Sequence, residues 1–182
     1  MISSYNNSDL NYGDLLNTIT YLLNPKTIVE FGILDGYSLK CFNENSNDTC
    51  NIYAYDIFDN FNGNHANKQV LLEKFKEHKK INIDFGDFYK KFKDIQDKSI
   101  DILHVDIANN GEIYEFVLNN YINKLSENGI VILEGGSNER DNIAWMIKYN
   151  KPKIQPILQK FNSKYNIRTF GTIPSITIIK NY

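Results

Sequence analysis

The segment TIVEFGILDGYS concentrates residues that suit a ligand: Glu30, two glycines at Gly32 and Gly36, and Ser38. Glycines permit positive φ and carry no β-carbon, so backbone can pass close to a bound molecule, and a helix beginning after Gly36 presents unpaired N–H groups and a positive dipole end. Glu30 at the turn would repel a pyrophosphate, and the spacing is not the GxGxxG of dinucleotide binders. A ligand carrying positive charge fits this turn better. Asp56 follows Gly36 by twenty positions in NIYAYDIF, where two carboxylate oxygens can receive paired O–H donors. Asp106 in DILHVDIANN and Glu134 in GIVILEGGS are further strand-end carboxylates. Their hard oxygens suit Mg2+, which would hold a hydroxyl and lower its pKa, or one carboxylate could itself accept the proton.

Positioning such groups requires strands that end along one edge. Short Ile/Val/Tyr-rich runs alternate with longer amphipathic stretches, which is the wiring of an α/β chain. An opening helix is expected over Ser8 to Leu23, closed by Pro25. Strands are expected at Thr27 to Phe31, Asn51 to Asp56, Ile81 to Phe85, Ile100 to Asp106 and Gly129 to Leu133. A final pair, Tyr165 to Phe170 and Ser175 to Lys180, is joined by a Gly/Pro turn short enough for a hairpin. Helices are expected over Tyr37 to Asn43, Lys68 to Lys79, Phe88 to Asp94, Glu112 to Leu125 and Glu139 to Tyr149, with a last one near Leu158. The fold expected is a Rossmann-like, doubly wound, seven-stranded sheet, mostly parallel with one antiparallel strand and helices on both faces. Residues 1–182 read as one domain with an N-terminal helical segment at 1–24, and ligand belongs at the C-terminal strand edge.

VEFGILDGYS resembles the glycine motif of class I S-adenosylmethionine (SAM) dependent methyltransferases, E/D-x-G-x-x-x-G-x-S, matching at Glu30, Gly32, Gly36 and Ser38. The resemblance implies SAM as cofactor, with Gly32 admitting its methionine part and Glu30 orienting water or the ammonium group. Asp56 resembles the acid that accepts the ribose hydroxyls, and Ile57 would pack on adenine. Gly86 and Asp87 stand where the family often has a small residue and an acid near the adenine amino group; Asp87 could equally cap the next short helix. The run from Asp106 to Glu134 is similar to small-molecule O-methyltransferases of the macrocin and catechol types. Those combine an Asp after strand four with two adjacent metal ligands after strand five, which makes Asp106 and Glu134 the catalytic and metal-binding candidates. The second of that adjacent pair is Gly135 here, and Ile107, Ala108 and Asn109 stand where the macrocin type tends to place a His. The implied function is methyl transfer to a small-molecule hydroxyl, of a sugar or natural-product-like substrate. A non-catalytic SAM-binding homologue and an NAD-dependent Rossmann enzyme are the alternatives.

Of the three histidines, His104 shares the Asp106 side of its strand but lies deeper, the position of a core residue; His65 sits on the loop after the second strand and His78 near the end of a charged helix. Tyr5 and Tyr12 could fold over the cofactor or pack as a tail. The 182 residues carry 20 basic and 22 acidic side chains, net −2, too balanced to hold a phosphate backbone, so nucleic acid is not an expected partner. The apolar runs are strand-sized, and the first residues lack a secretory signal, so neither membrane nor export is expected and the cytoplasm is the default location. Cys41 and Cys50 are without a CxxC pair and read as free thiols. Self-association into a homo-oligomer is compatible with this composition.

Overall fold

The computed structural model describes residues 11–60, 63–78 and 80–182. The chain divides into two compact units, Met1–Lys93 and Asp94–Tyr182. The strands follow the order β3-β2-β1-β4-β5-β7-β6 in a seven-stranded sheet.

In the first unit, α1 (Tyr12–Leu23) opens at Asn11, whose side chain accepts the Asp14 N–H, and ends at Asn24 in the left-handed region (φ 46°). Pro25 then prevents continuation. The start expected at Ser8 lies outside the described residues, as does Tyr5; Tyr12 is buried in the packing of α1. Strand β1 (Thr27–Phe31) leads through the glycine turn to α2 (Tyr37–Asn45), followed by β2 (Asn51–Asp56), α3 (Lys68–Lys74), β3 (Ile81–Phe85) and the short α4 (Phe88–Lys91). Parallel pairing aligns Glu30 with Ala54 and Asp56 with Phe85. All three strands therefore end at one edge. Two further hydrogen bonds extend the pairing into the turns, Gly32 N–H to Tyr55 O at 2.9 Å and Gly86 N–H to Asp56 O at 3.0 Å. Helix α3 stops at Lys74, short of the expected Lys79. Phe75 terminates it by turning its buried ring under Gly36, where an added β-carbon would lie 2.6 Å from the ring edge.

The second unit holds β4 (Ile100–Val105), α5 (Gly111–Asn120), β5 (Leu125–Glu134), α6 (Ala144–Lys148), α7 (Gln155–Phe161), β6 (Asn166–Gly171) and β7 (Ser175–Lys180). Ile102 to Val105 are all buried, the pattern of a strand covered on both faces. Strand β4 pairs in parallel with β5, while β7 runs antiparallel to both β5 and β6, which is the expected hairpin and the one reversed strand. Strand β5 begins at Leu125 rather than Gly129, with a register shift opposite Ile100 to Ile102.

The helix expected over Glu139 to Tyr149 is broken. Arg140–Asn142 form a 3-10 turn, Ile143 is extended (φ −68°, ψ 153°), and α6 covers only Ala144–Lys148. The reason lies in side-chain tethers. Asp141 accepts the Ile154 and Gln155 N–H groups at 2.7 and 2.8 Å, and the Ser137 hydroxyl oxygen accepts the Arg140 N–H at 3.0 Å. Such bonds to distant backbone outweigh the tenths of a kcal/mol per residue in helix propensity. No helix among the described residues is long and apolar enough to cross a membrane.

Candidate active site

The turn after β1 is built around a buried acid. Glu30 is fully buried and its Oε1 accepts the Ser38 hydroxyl, so the serine of the glycine motif holds the glutamate of the same motif. Gly32 has φ 89° and Gly36 has φ 79°, conformations that L side chains rarely adopt. Gly36 is the residue before α2, which starts without a side-chain cap.

Asp56, only 7% exposed, ties this turn to the end of β2. Its Oδ2 accepts the Ile33 N–H at 2.9 Å, and its Oδ1 accepts the Phe58 N–H at 2.9 Å and the Asn64 side-chain amide at 2.5 Å. All three donors are neutral amides, and among the described residues no cation pairs with the carboxylate. About four lone-pair positions belong to a carboxylate, which leaves one open on Oδ2. Ile57 is half-buried beside it. Gly86 is buried against Tyr55, and a β-carbon there would lie 2.7 Å from the Tyr55 side chain. Asp87 accepts the Tyr89 N–H at 3.0 Å and so caps α4, the second of the two uses open for it in the sequence.

In the second unit Asp106 follows β4, half-buried, and Glu134 ends β5. Glu134 is gripped by Arg140, Nε to Oε1 at 2.6 Å and Nη2 to Oε2 at 2.9 Å. Burial lifts the Glu134 carboxyl above the ordinary range; the Arg140 bonds oppose that rise and the nearby Asp106 charge adds to it. Burial is the largest influence on the Arg140 guanidinium and acts downward, but the Glu134 bond and charge together with the Tyr114 and Asp141 charges make the net direction upward. Arg140 Nη2 also donates to the Asn109 carbonyl at 3.2 Å. The Asn109 amide donates to Val105 O and Glu134 O at 2.8 and 3.0 Å, and the Tyr114 hydroxyl donates to Glu134 O at 3.1 Å. Gly135 and Gly136 follow with φ 99° and 106°. His104 is fully buried within β4, His65 is exposed on its loop, and exposed His78 bonds the Asn43 amide at 3.0 Å.

Arg140 is the residue that sequence reasoning missed. Its signal was available: the chain has only two arginines, and this one stands six residues after Glu134. Its presence also tests the metal assignment. A guanidinium bonded to both Glu134 oxygens already places positive charge against this carboxylate, and it would repel a divalent ion brought to the same oxygens. Among the described residues no group of three or more His, Cys, Asp or Glu side chains could hold a metal ion. The residues at Asp106 and Glu134 therefore do not fit a Mg2+ site as arranged.

The family model described as "Methyltransferase domain" matches residues 29–134, from the buried first strand to the glutamate of the Arg140 fork. The chain belongs to this family. Solved methyltransferases share its fold. The O-methyltransferase TomG from Streptomyces achromogenes, involved in tomaymycin synthesis and crystallised with SAM, superposes with a TM-score of 0.70 at 14% identity, over 96% of this chain and 81% of that one. An O-methyltransferase from Bacillus cereus in complex with SAH gives 0.68 at 14% identity, over 99% and 84%. The SAH-bound Podospora anserina methyltransferase PaMTH1 gives 0.66 at 16% identity, over 97% and 80%. A comparison with the curated proteins finds no match. Membership of the methyltransferase family decides against the dinucleotide alternative.

Proposed function

We propose that this methyltransferase uses SAM to methylate a hydroxyl oxygen of a small molecule. The observation that carries the reading is Asp56: a buried carboxylate at a strand end, bonded among the described residues by neutral amides alone, beside a turn held by a second buried acid. Two buried acids at one strand edge suit a ligand with ribose hydroxyls and a cationic ammonium and sulfonium. Glu30, Gly32, Gly36 and Ser38 would hold the methionine part, Asp56 the ribose and Ile57, Gly86 and Asp87 the adenine side. Asp56 has room for one ribose hydroxyl on Oδ2 as it stands; a second bond, on Oδ1, requires the Asn64 amide to yield its place.

Bound SAM supplies an electrophilic methyl group on sulfur. The chain's own contribution is to hold the acceptor hydroxyl and remove its proton. Asp106 takes that proton as the oxygen lone pair forms the new O–CH3 bond and the S–CH3 bond breaks, its electron pair remaining on sulfur. Glu134, fixed by Arg140, lines the acceptor side. The O-methyltransferase neighbours support oxygen as the acceptor atom. Calorimetric titration with SAM and SAH, followed by mass-spectrometric detection of methylated products from a panel of hydroxylated sugars and aromatics, tests the proposal. Absence of SAM binding overturns it; binding without any methylated product favours the non-catalytic homologue.

A further inference from the structure

Two strand-end carboxylates close to each other need positive charge, and the described structure supplies it from within the chain. Arg140 is 7% exposed and spends two of its three nitrogens in a fork on Glu134, with a third bond to the Asn109 carbonyl. Its guanidinium carbon lies over the Trp145 ring, 5.7 Å from the ring centre and within cation–π range. A planar guanidinium matches a carboxylate bidentately and remains charged at any pH at which proteins fold. Arg140 Nη1 is buried without a hydrogen-bond partner, and so is Asn109 Oδ1. Buried donors and acceptors are nearly always satisfied, so a donor and an acceptor left over on two residues that already touch through Arg140 Nη2 and the Asn109 carbonyl show that this cluster retains hydrogen-bonding capacity.

We propose that Arg140 is the resident cation of the acceptor side, holding the Glu134 carboxylate that a divalent ion would need. The inference rests on reading these carboxylates as acceptor-side groups. A metal competing for Glu134 must first displace a buried guanidinium and leave it without its carboxylate, a disfavoured exchange. Arg140 then does electrostatically what the ion would do: its bonds and charge oppose the rise that burial imposes on the Glu134 carboxyl. The loop supports this use. The Ser137 hydroxyl oxygen holds the Arg140 backbone N–H, and Asp141 beside it is anchored to the Ile154 and Gln155 amides, so the arginine is placed by bonds at its own residue and at the next.

The test is Mn2+ binding followed by electron paramagnetic resonance and calorimetry, a readout independent of SAM and of turnover. The intact protein is expected to show no saturable Mn2+ binding at millimolar concentration. Arg140→Met frees the Glu134 carboxylate from its guanidinium and is expected to tighten Mn2+ binding by at least about tenfold, a gain removed by adding Glu134→Gln. Saturable Mn2+ binding by the intact protein that is lost in Glu134→Gln overturns the proposal, as does a folded Arg140→Met that gains no affinity. If circular dichroism shows that Arg140→Met does not fold, the intact-protein titration decides alone. Failure of the SAM titration described above would overturn the methyltransferase chemistry while leaving the Mn2+ result interpretable.

Discussion

The Ile33 backbone N–H donates to Asp56 Oδ2 at 2.9 Å, joining the glycine turn after β1 to the end of β2. One carboxylate thus shapes the loop and stands where the ribose is proposed to bind. Asp56→Ala is expected to weaken SAM binding by at least ~1.5 kcal/mol, because charge-assisted bonds are lost. It should also lower stability by about 1–3 kcal/mol, because buried N–H groups lose their acceptor. Calorimetry and urea denaturation measure the two effects separately, and unchanged SAM affinity would remove Asp56 from the proposed site.

Gly32 holds φ at 89° while its N–H reaches Tyr55 O at 2.9 Å. Gly32→Val brings a β-branched side chain into that conformation and onto the surface proposed for the methionine part of SAM. The expected outcome is loss of SAM binding with a folded protein about 1–3 kcal/mol less stable. A folded variant that binds SAM normally would show that the close approach occurs elsewhere.

Glu134→Ala leaves the Arg140 guanidinium buried without its carboxylate. Removing one partner of such a pair costs about 3–5 kcal/mol, far more than an exposed pair contributes. By contrast Lys40→Ala, which breaks an exposed pair with Glu44 at 3.6 Å, should change stability by less than about 1 kcal/mol. Denaturant midpoints of the two variants give the comparison, and near-equal losses would contradict the buried fork.

Cys41 is 6% exposed and its thiol is pushed up from 9.0 to about 11, by burial first and then by the charges of Glu44 and Glu30. The folded state therefore holds this proton more tightly than the unfolded chain. Its contribution to stability is intact below pH 9 and is lost as pH rises through about 11. Cys50 is also buried and unbridged. A thiol reagent at pH 8 should label neither residue in the native protein and both after denaturation; rapid native labelling of Cys41 would show a more open α2 than the structure has.

The strands β1, β2, β3 and β7 begin and end where the sequence places them, because their limits are local: apolar runs bounded by Pro25, the glycine turns and polar clusters. The turn at Gly32 and Gly36 was legible for the same reason, since a strand-to-helix turn needs its glycines at fixed offsets whatever surrounds them. The antiparallel last hairpin was legible from the shortness of its connection. What happens between Glu134 and Gln155 was not. Periodicity there favours one helix, yet Arg140 turns back to Glu134 and Asp141 reaches the start of α7, thirteen and fourteen residues on, and the helix breaks between them. Sequence patterns report which side chains share a face, whereas a buried charge is paired with whatever opposite charge the fold carries to it. That carboxylates stand at the ends of β4 and β5 could thus be read from residues alone. Their electrostatic state, with Glu134 held by an arginine, was decided by tertiary structure, because desolvating a carboxylate costs enough that the folded chain must bring it a partner.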